Sequence, residues 1–124
     1  KYLYRMDYIR KSLEINPNYD DARIFIIKEK LDRLWFATHH LPDYYCKDGE
    51  EYEDLKLCDV TQNEIEKIVS EEKKEYLFKN LCFYKELIEN YIEWKKSSSL
   101  TFEEWGKENN RKVDSGVISI YYQE

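Results

Sequence analysis

The side chains best suited to chemistry lie in one irregular stretch of the sequence, residues 39–60. Four of them carry the nitrogen and sulfur atoms that bind zinc in proteins: His39, His40, Cys46 and Cys58. Their spacing does not match zinc motifs, whose ligands come in close pairs, and adjacent histidines are expected to point in different directions. We therefore interpret them as histidines at a helix end and buried thiols, and we predict neither a metal nor any other cofactor. A metal-binding protein or an enzyme centred on His39 to Cys58 is kept as a second alternative.

Paired carboxylates are the other group in this stretch that could do chemistry, as a general acid and base. Four stand close together in the sequence: Glu50, Glu51, Glu53 and Asp54. Charge-rich loops and helices contain such groups routinely, and nothing indicates the apolar setting that would raise a carboxyl pKa. No local signature supports a cysteine nucleophile, and neither common glycine-rich phosphate loop is present. The sequence therefore favours a protein that is not an enzyme.

Charge and tyrosine content point instead to the binding of another protein. The chain carries a net charge of −6, and residues 43–75 alone carry −7. Twelve tyrosines are present, and tyrosine is enriched at interfaces because it buries a large area with little entropy loss. The predicted partner-binding residues are the tyrosines outside the predicted helices and the acids beside them: Tyr44, Tyr45, Glu50, Glu51, Tyr52, Glu53, Asp54, Tyr121 and Tyr122.

A small acidic protein could inhibit a target by covering a basic surface with which that target binds nucleic acid. Direct contact of this chain with nucleic acid is less expected, because the acidic middle third lacks the basic field that such binding needs. The alternative function is nevertheless a nucleic-acid-associated regulator that uses Lys107, Arg111 and Lys112, with Trp105 nearby. Three basic residues at a helix end more often complement the helix dipole.

A long helix at residues 70–96 is predicted to organise the elements that position these groups. It contains no proline or glycine. Its apolar residues recur at steps of three and four, which places them on one helical face: Leu77, Leu81, Tyr84, Ile88 and Tyr91. The length and breadth of this face predict a central helix with several neighbours.

Shorter helices are predicted on both sides of the central one. A first ends near Ile15, a second spans residues 20–38, and a last starts at Thr101 and ends near Asn109. The segment that joins the first two, Ser-Leu-Glu-Ile-Asn-Pro-Asn-Tyr-Asp-Asp-Ala, resembles the link between tetratricopeptide units. No repeat of ~34 residues follows it. We therefore interpret it as a helix–proline–helix junction.

The middle of the chain gives two further predictions. Thr61 and Glu64 have the spacing of a capping box, which predicts a helix that starts at Thr61. Residues 44–60 could form a small hairpin or an ordered loop, and residues 117–122 are β-branched and aromatic, as in an edge strand.

These patterns together predict one mainly α domain, residues 1–124, with four or five helices around the long central one. Three glycines and two prolines leave little room for tight turns. Apolar runs are too short for a membrane span. The three cysteines are odd in number and include no close pair, so a reducing, cytoplasmic location is predicted.

Overall fold

Helices make up all the regular secondary structure in residues 2–115, the part of the chain that the computed structural model describes. Five helices follow one another along the sequence: α1 (Tyr2–Ile15), α2 (Asp20–Thr38), α3 (Glu51–Glu66), α4 (Glu71–Ser97) and α5 (Phe102–Asn109). The prediction of a compact, mainly helical fold with four or five helices is confirmed. The predicted edge strand at residues 117–122 lies outside the described residues.

Helix α4 is the central element, as its apolar pattern predicts. It packs against α2, α3 and α5, while α2 also contacts α1 and α3. The five residues of the predicted stripe are all buried: Leu77, Leu81, Tyr84, Ile88 and Tyr91. The Ser70 side chain caps the helix by accepting a hydrogen bond from the Lys73 backbone N–H at 3.4 Å. With no proline to interrupt it, the helix continues for 27 residues.

Helix α2 contributes the second large apolar face of the core. Ile27, Leu31 and Leu34 recur at steps of four and three, and each is fully buried. Removing one such side chain from water contributes about 1.5–3 kcal/mol to folding. These residues pack in one hydrophobic core with the buried face of α4.

Helix α3 occupies the region where a hairpin was predicted, and that prediction is wrong within the described residues. The buried positions of α3 recur at steps of three and four: Glu51, Asp54, Cys58, Thr61 and Ile65. This is a helical period, but three of the five residues are polar or charged, so hydrophobicity does not reveal it. The alternation of apolar residues at 55–60 is too short to decide between a strand and a helix.

The helix start predicted at Thr61 is also wrong, because Thr61 lies inside α3. Its buried hydroxyl donates to the Leu57 carbonyl at 2.6 Å, which is how a threonine is accommodated within a helix. Glu64 does not reach back to Thr61 but accepts a hydrogen bond from Arg23 Nη1 on α2 at 2.6 Å. The two residues have capping-box spacing, but each has a different partner in the fold.

The other predicted helix ends are confirmed. Thr101 accepts a hydrogen bond from the Glu104 N–H, and the Glu104 carboxylate accepts one from the Thr101 N–H at 3.0 Å. Asn110 ends α5 in the left-handed conformation at φ 54°. Gly49 has φ 97°, and the Glu50 N–H donates to the Lys47 carbonyl at 2.9 Å, so this segment turns just before α3.

Two long-range links fasten the loops to the helices. Asp20, in the first turn of α2, accepts hydrogen bonds from the Val69 and Ser70 N–H groups at 2.8 and 2.9 Å. It therefore satisfies backbone donors where α4 begins, while Tyr19, which precedes α2, makes no side-chain cap. At the other link the buried Ser115 hydroxyl donates to the His39 carbonyl at 2.7 Å.

Candidate functional site

A buried hydrogen bond joins the 39–50 segment to α3. The Tyr45 hydroxyl donates to Asp54 Oδ2 at 2.5 Å, and both side chains are almost completely buried. Glu51, one turn earlier in α3, is also buried; its carboxylate accepts from the Gly49 N–H and from Lys95 Nζ, the latter at 3.0 Å. The first turn of α3 is therefore held from two directions.

Helix α4 contributes the other half of this arrangement. Asp48 Oδ1 accepts from the Tyr91 hydroxyl at 2.8 Å and from Lys95 Nζ at 2.7 Å. The rings of Tyr45 and Tyr91 stack with their centroids 4.9 Å apart. We call the six residues that make these contacts the α3–α4 polar cluster: Tyr45, Asp48, Glu51, Asp54, Tyr91 and Lys95.

The pKa values of the cluster follow from its burial and pairing. Burial raises the pKa of Asp54, and the hydrogen bond from Tyr45 opposes that rise. Burial, together with the Asp54 carboxylate, raises the pKa of the Tyr45 hydroxyl. The hydrogen bond from Lys95 lowers the pKa of Asp48, and the same contact raises the pKa of Lys95. In residues 2–115 no buried side-chain polar atom lacks a hydrogen-bond partner, so the cluster is a satisfied network.

The predicted partner-binding residues fall into a buried group, which belongs to this network, and an exposed group beside it. Three of them, Tyr45, Glu51 and Asp54, are buried and form part of the cluster. Four others are exposed beside it: Tyr44, Glu50, Tyr52 and Glu53. Tyr121 and Tyr122 lie outside the described residues. We call the four exposed residues the loop–α3 surface.

The side chains of the loop–α3 surface are available for contact to different degrees. Tyr44 is 53% and Tyr52 58% exposed, and the Tyr44 ring stacks on His40 with centroids 4.6 Å apart. Glu53 pairs with Lys56 at 3.4 Å, a solvent-exposed contact that contributes little to stability. Glu50 forms no ion pair with any other residue in the described part of the chain.

His39, His40 and Cys46 are brought together at the C-terminal end of α2. One ring nitrogen of each histidine and the cysteine sulfur all lie within 4.8 Å of one another. The expectation that adjacent histidines diverge is wrong for these two, whose ring centroids are 3.9 Å apart. Cys58 does not join them: it lies buried in the core, where burial raises the pKa of its thiol to about 12. Sequence spacing could not reveal this grouping, because the turn after α2 creates it.

The basic residues of the alternative function are separated by their contacts. All three residues are exposed, but Arg111 Nη1 donates to Asn90 Oδ1 and pairs with Glu93, each at 2.9 Å. Lys112 Nζ lies 4.4 Å from the centre of the Phe83 ring. Two of the three cations thus hold the segment after α5 against α4. The nucleic-acid function stays a prediction that these contacts do not favour.

An open groove along the outer face of α4 was not anticipated from the sequence. Its apolar floor and charged rim include Phe78, Cys82, Phe83, Lys79 and Lys112. The wide apolar face of the central helix is the sequence signal that could have indicated this groove. When such a face is wider than the area that neighbouring helices cover, part of it stays exposed.

No protein-family model, curated protein or solved structure matches this chain. Within residues 2–115, no helix has both the length and the apolar character needed to cross a bilayer.

Proposed function

We propose that this chain is a non-catalytic protein-binding module that contacts its partner through the loop–α3 surface. The partner is a protein with a basic surface. In the more specific form of the proposal, that surface binds nucleic acid and the chain inhibits it by covering it.

The observation that carries the proposal is the contrast between the buried and the exposed residues of one short segment. Tyr45 and Asp54 are bonded to each other inside the fold, and each is next in sequence to an exposed residue of the surface, Tyr44 and Glu53. Glu51 is anchored on Lys95 and lies between Glu50 and Tyr52, which are both exposed. The segment is held at its buried positions, so its exposed side chains lose little backbone freedom on binding.

The chemistry of the exposed side chains supports a basic protein partner. Tyr44 and Tyr52 offer apolar rings with a polar tip, the kind of group that dominates binding energy at interfaces. Glu50 and Glu53 supply negative charge within the most acidic third of the chain. Complementary charge accelerates encounter and excludes partners of the same sign.

The test uses charge reversal at exposed positions only, so that the fold is retained. The tagged wild-type chain, Glu50→Lys/Glu53→Lys and a matched control, Asp7→Lys/Glu14→Lys, are used to capture binding proteins from a nuclease-treated native lysate. The control residues are exposed on α1 and give the same change in net charge. We expect a basic protein that is retained by the wild type and the control and whose affinity falls on the order of tenfold or more in the surface variant.

A photo-crosslinking amino acid then locates the contact. It replaces Tyr52 in one variant and Tyr8, which is 68% exposed on α1, in the other. Crosslinks from position 52 alone support the proposal. Equal retention by both charge-reversed variants, or crosslinks from position 8 but not from position 52, would contradict it. If the captured partner still binds nucleic acid when it is saturated with this chain, only the inhibitory form of the proposal is contradicted.

A further inference from the structure

The end of α2 and the turn after it form a second candidate site, which adjoins the loop–α3 surface where the Tyr44 ring stacks on His40. Helix α2 ends at Thr38, and His39 follows in helical conformation with its N–H donating to the Trp35 carbonyl. The Tyr44 N–H then donates to the His40 carbonyl at 3.3 Å, which turns the chain. The grouping of residues beyond this turn is therefore set by backbone hydrogen bonds.

A further backbone contact returns Cys46 to the helix end. Its N–H donates to the Ala37 carbonyl of α2 at 3.1 Å. Cys46 thereby comes beside His39 and His40, although five residues separate it from the nearer of the two in sequence. Because main-chain contacts hold all three, the ligand atoms are close together before any metal arrives, which reduces the ordering that binding would require.

The orientation of His39 is that of a histidine prepared for a metal. Its Nδ1 lies 2.8 Å from the Phe36 carbonyl oxygen, which can only accept a hydrogen bond. In the neutral ring this hydrogen bond places the proton on Nδ1 and leaves Nε2 to bind a metal. The ring also stacks on Trp35, with centroids 4.3 Å apart and planes 20° from parallel. A backbone carbonyl that accepts from one ring nitrogen while the other binds metal is the usual environment of a metal-binding histidine.

We propose that His39, His40 and Cys46 form a site for Zn²⁺, with a fourth coordination position open to solvent. Two imidazoles and one thiolate are ligands that zinc accepts and that calcium and magnesium do not prefer. On binding, the metal–sulfur bond replaces the S–H bond of Cys46 and the proton leaves to solvent. Zinc undergoes no redox change in this step.

The distances require only a small adjustment. A tetrahedral zinc ion with these ligands places the ligand atoms about 3.3 to 3.6 Å apart, whereas the three atoms lie within 4.8 Å of one another. His40 is exposed and can rotate toward the other two. The effect of the metal would be to link the end of α2 to the segment that leads into α3, in addition to the existing backbone contacts.

The first test titrates the reduced, chelator-treated protein with Co²⁺, a spectroscopic substitute for Zn²⁺. We expect one equivalent to give the near-ultraviolet band of a cobalt–thiolate bond, and Zn²⁺ to displace it. Cys46→Ser should abolish the band. His40→Ala, which changes an exposed side chain, should weaken binding on the order of 100-fold or more, since even outer-shell losses cost 10–100-fold. Cys82→Ser, which removes an exposed thiol on α4, should leave the spectrum unchanged.

Thermal unfolding tests Zn²⁺ binding without the cobalt spectrum. Excess Zn²⁺ should raise the unfolding midpoint of the wild type and of Cys82→Ser by more than that of His40→Ala. Far-ultraviolet circular dichroism confirms that each variant is helical. The proposal is overturned if no thiolate band appears, if Cys82→Ser loses it while Cys46→Ser keeps it, or if Zn²⁺ stabilises His40→Ala as much as the wild type.

Discussion

At the scale of single residues, the Tyr45 hydroxyl and the Asp54 carboxylate depend on each other. Both are buried, and each satisfies a polar atom that water cannot reach. Removing one partner leaves the other unsatisfied, which costs more than the intact bond contributes. The hydrogen bond therefore fixes the loop–α3 surface mainly because an unsatisfied Tyr45 or Asp54 would be costly, and less because of the free energy that the bond itself contributes.

Replacing Tyr45 by Phe tests this dependence. Tyr45→Phe keeps the ring that stacks on Tyr91 but leaves Asp54 without its donor, so we expect the free energy of unfolding to fall by about 1–3 kcal/mol at pH 7. Tyr44→Phe, which alters an exposed hydroxyl, should change it by less than about 0.5 kcal/mol. Urea denaturation of both variants gives the values. Equal stability of the two would show that the buried bond contributes nothing.

The same variant has a pH dependence whose sign follows from Asp54. Its folded pKa lies above the value of about 3.9 in an unfolded chain, so the folded state binds the proton more tightly and stability falls as pH rises through this window. Loss of the Tyr45 hydrogen bond, which favours the carboxylate, raises the folded pKa further. The destabilisation by Tyr45→Phe should therefore be larger at pH 7 than at pH 4. A destabilisation that is the same at both pH values would contradict this assignment.

At the scale of the elements, prediction from sequence succeeded where the buried face is apolar. The stripes of α2 and α4 consist of aliphatic and aromatic residues, and Thr101 with Glu104 caps α5 in sequence and in space. Helix α3 was mistaken for a hairpin and a later helix start, because Glu51, Asp54 and Thr61 occupy its buried positions. Glu51 and Asp54 are buried with partners outside the helix, Lys95 and Tyr45, which the local pattern of α3 does not contain.

Two threonines with the same sequence signature provide a direct test at this scale. Thr61→Val removes a hydroxyl that bonds within its own helix, so we expect a change in the free energy of unfolding of less than about 0.5 kcal/mol. Thr101→Val removes a true cap and should cost about 0.5–2 kcal/mol. Both are measured by chemical denaturation. A larger cost at Thr61 than at Thr101 would reverse the assignment of the two positions.

The candidate sites were anticipated from the sequence only in part. Residue types indicated the acids and tyrosines near α3, but which of them face solvent depends on the α3–α4 polar cluster. The histidines and Cys46 are metal-binding residue types, but their spacing in the sequence does not predict a metal site. Hydrogen bonds from the turn after α2, including the one from Cys46 to Ala37, bring them together in space.

At the scale of the whole molecule, Asp20 connects two helices that are distant in sequence. It lies in the first turn of α2 and accepts from backbone donors at the start of α4. The hydrogen bond from Val69 is the largest cause of its lowered pKa, so the link is made by the carboxylate form. A capping interaction of this kind normally acts within one helix; here it fixes the position of one helix against another.

Asp20→Ala should lower the free energy of unfolding by about 1 kcal/mol at neutral pH. Because the folded pKa of Asp20 lies below its usual 3.8, its contribution is present above about pH 4 and is lost as pH falls through the folded value. The difference between variant and wild type should therefore shrink below pH 4. Asp21→Ala, which removes an exposed ion pair with Lys73, should cost less than about 0.5 kcal/mol and serves as the control. Identical effects of the two variants at neutral pH would contradict the role given to Asp20.

The hydrogen bond from Ser115 to the His39 carbonyl has a consequence for the order in which the molecule is completed. The two residues are 76 positions apart, and the Ser115 hydroxyl also donates to the Leu41 carbonyl at 3.2 Å. A chain synthesised from its N-terminus makes α2 early, yet these two carbonyl groups wait for a partner until α3, α4 and α5 have all been made. During synthesis these two carbonyl groups are therefore open to water until the segment after α5 has been made.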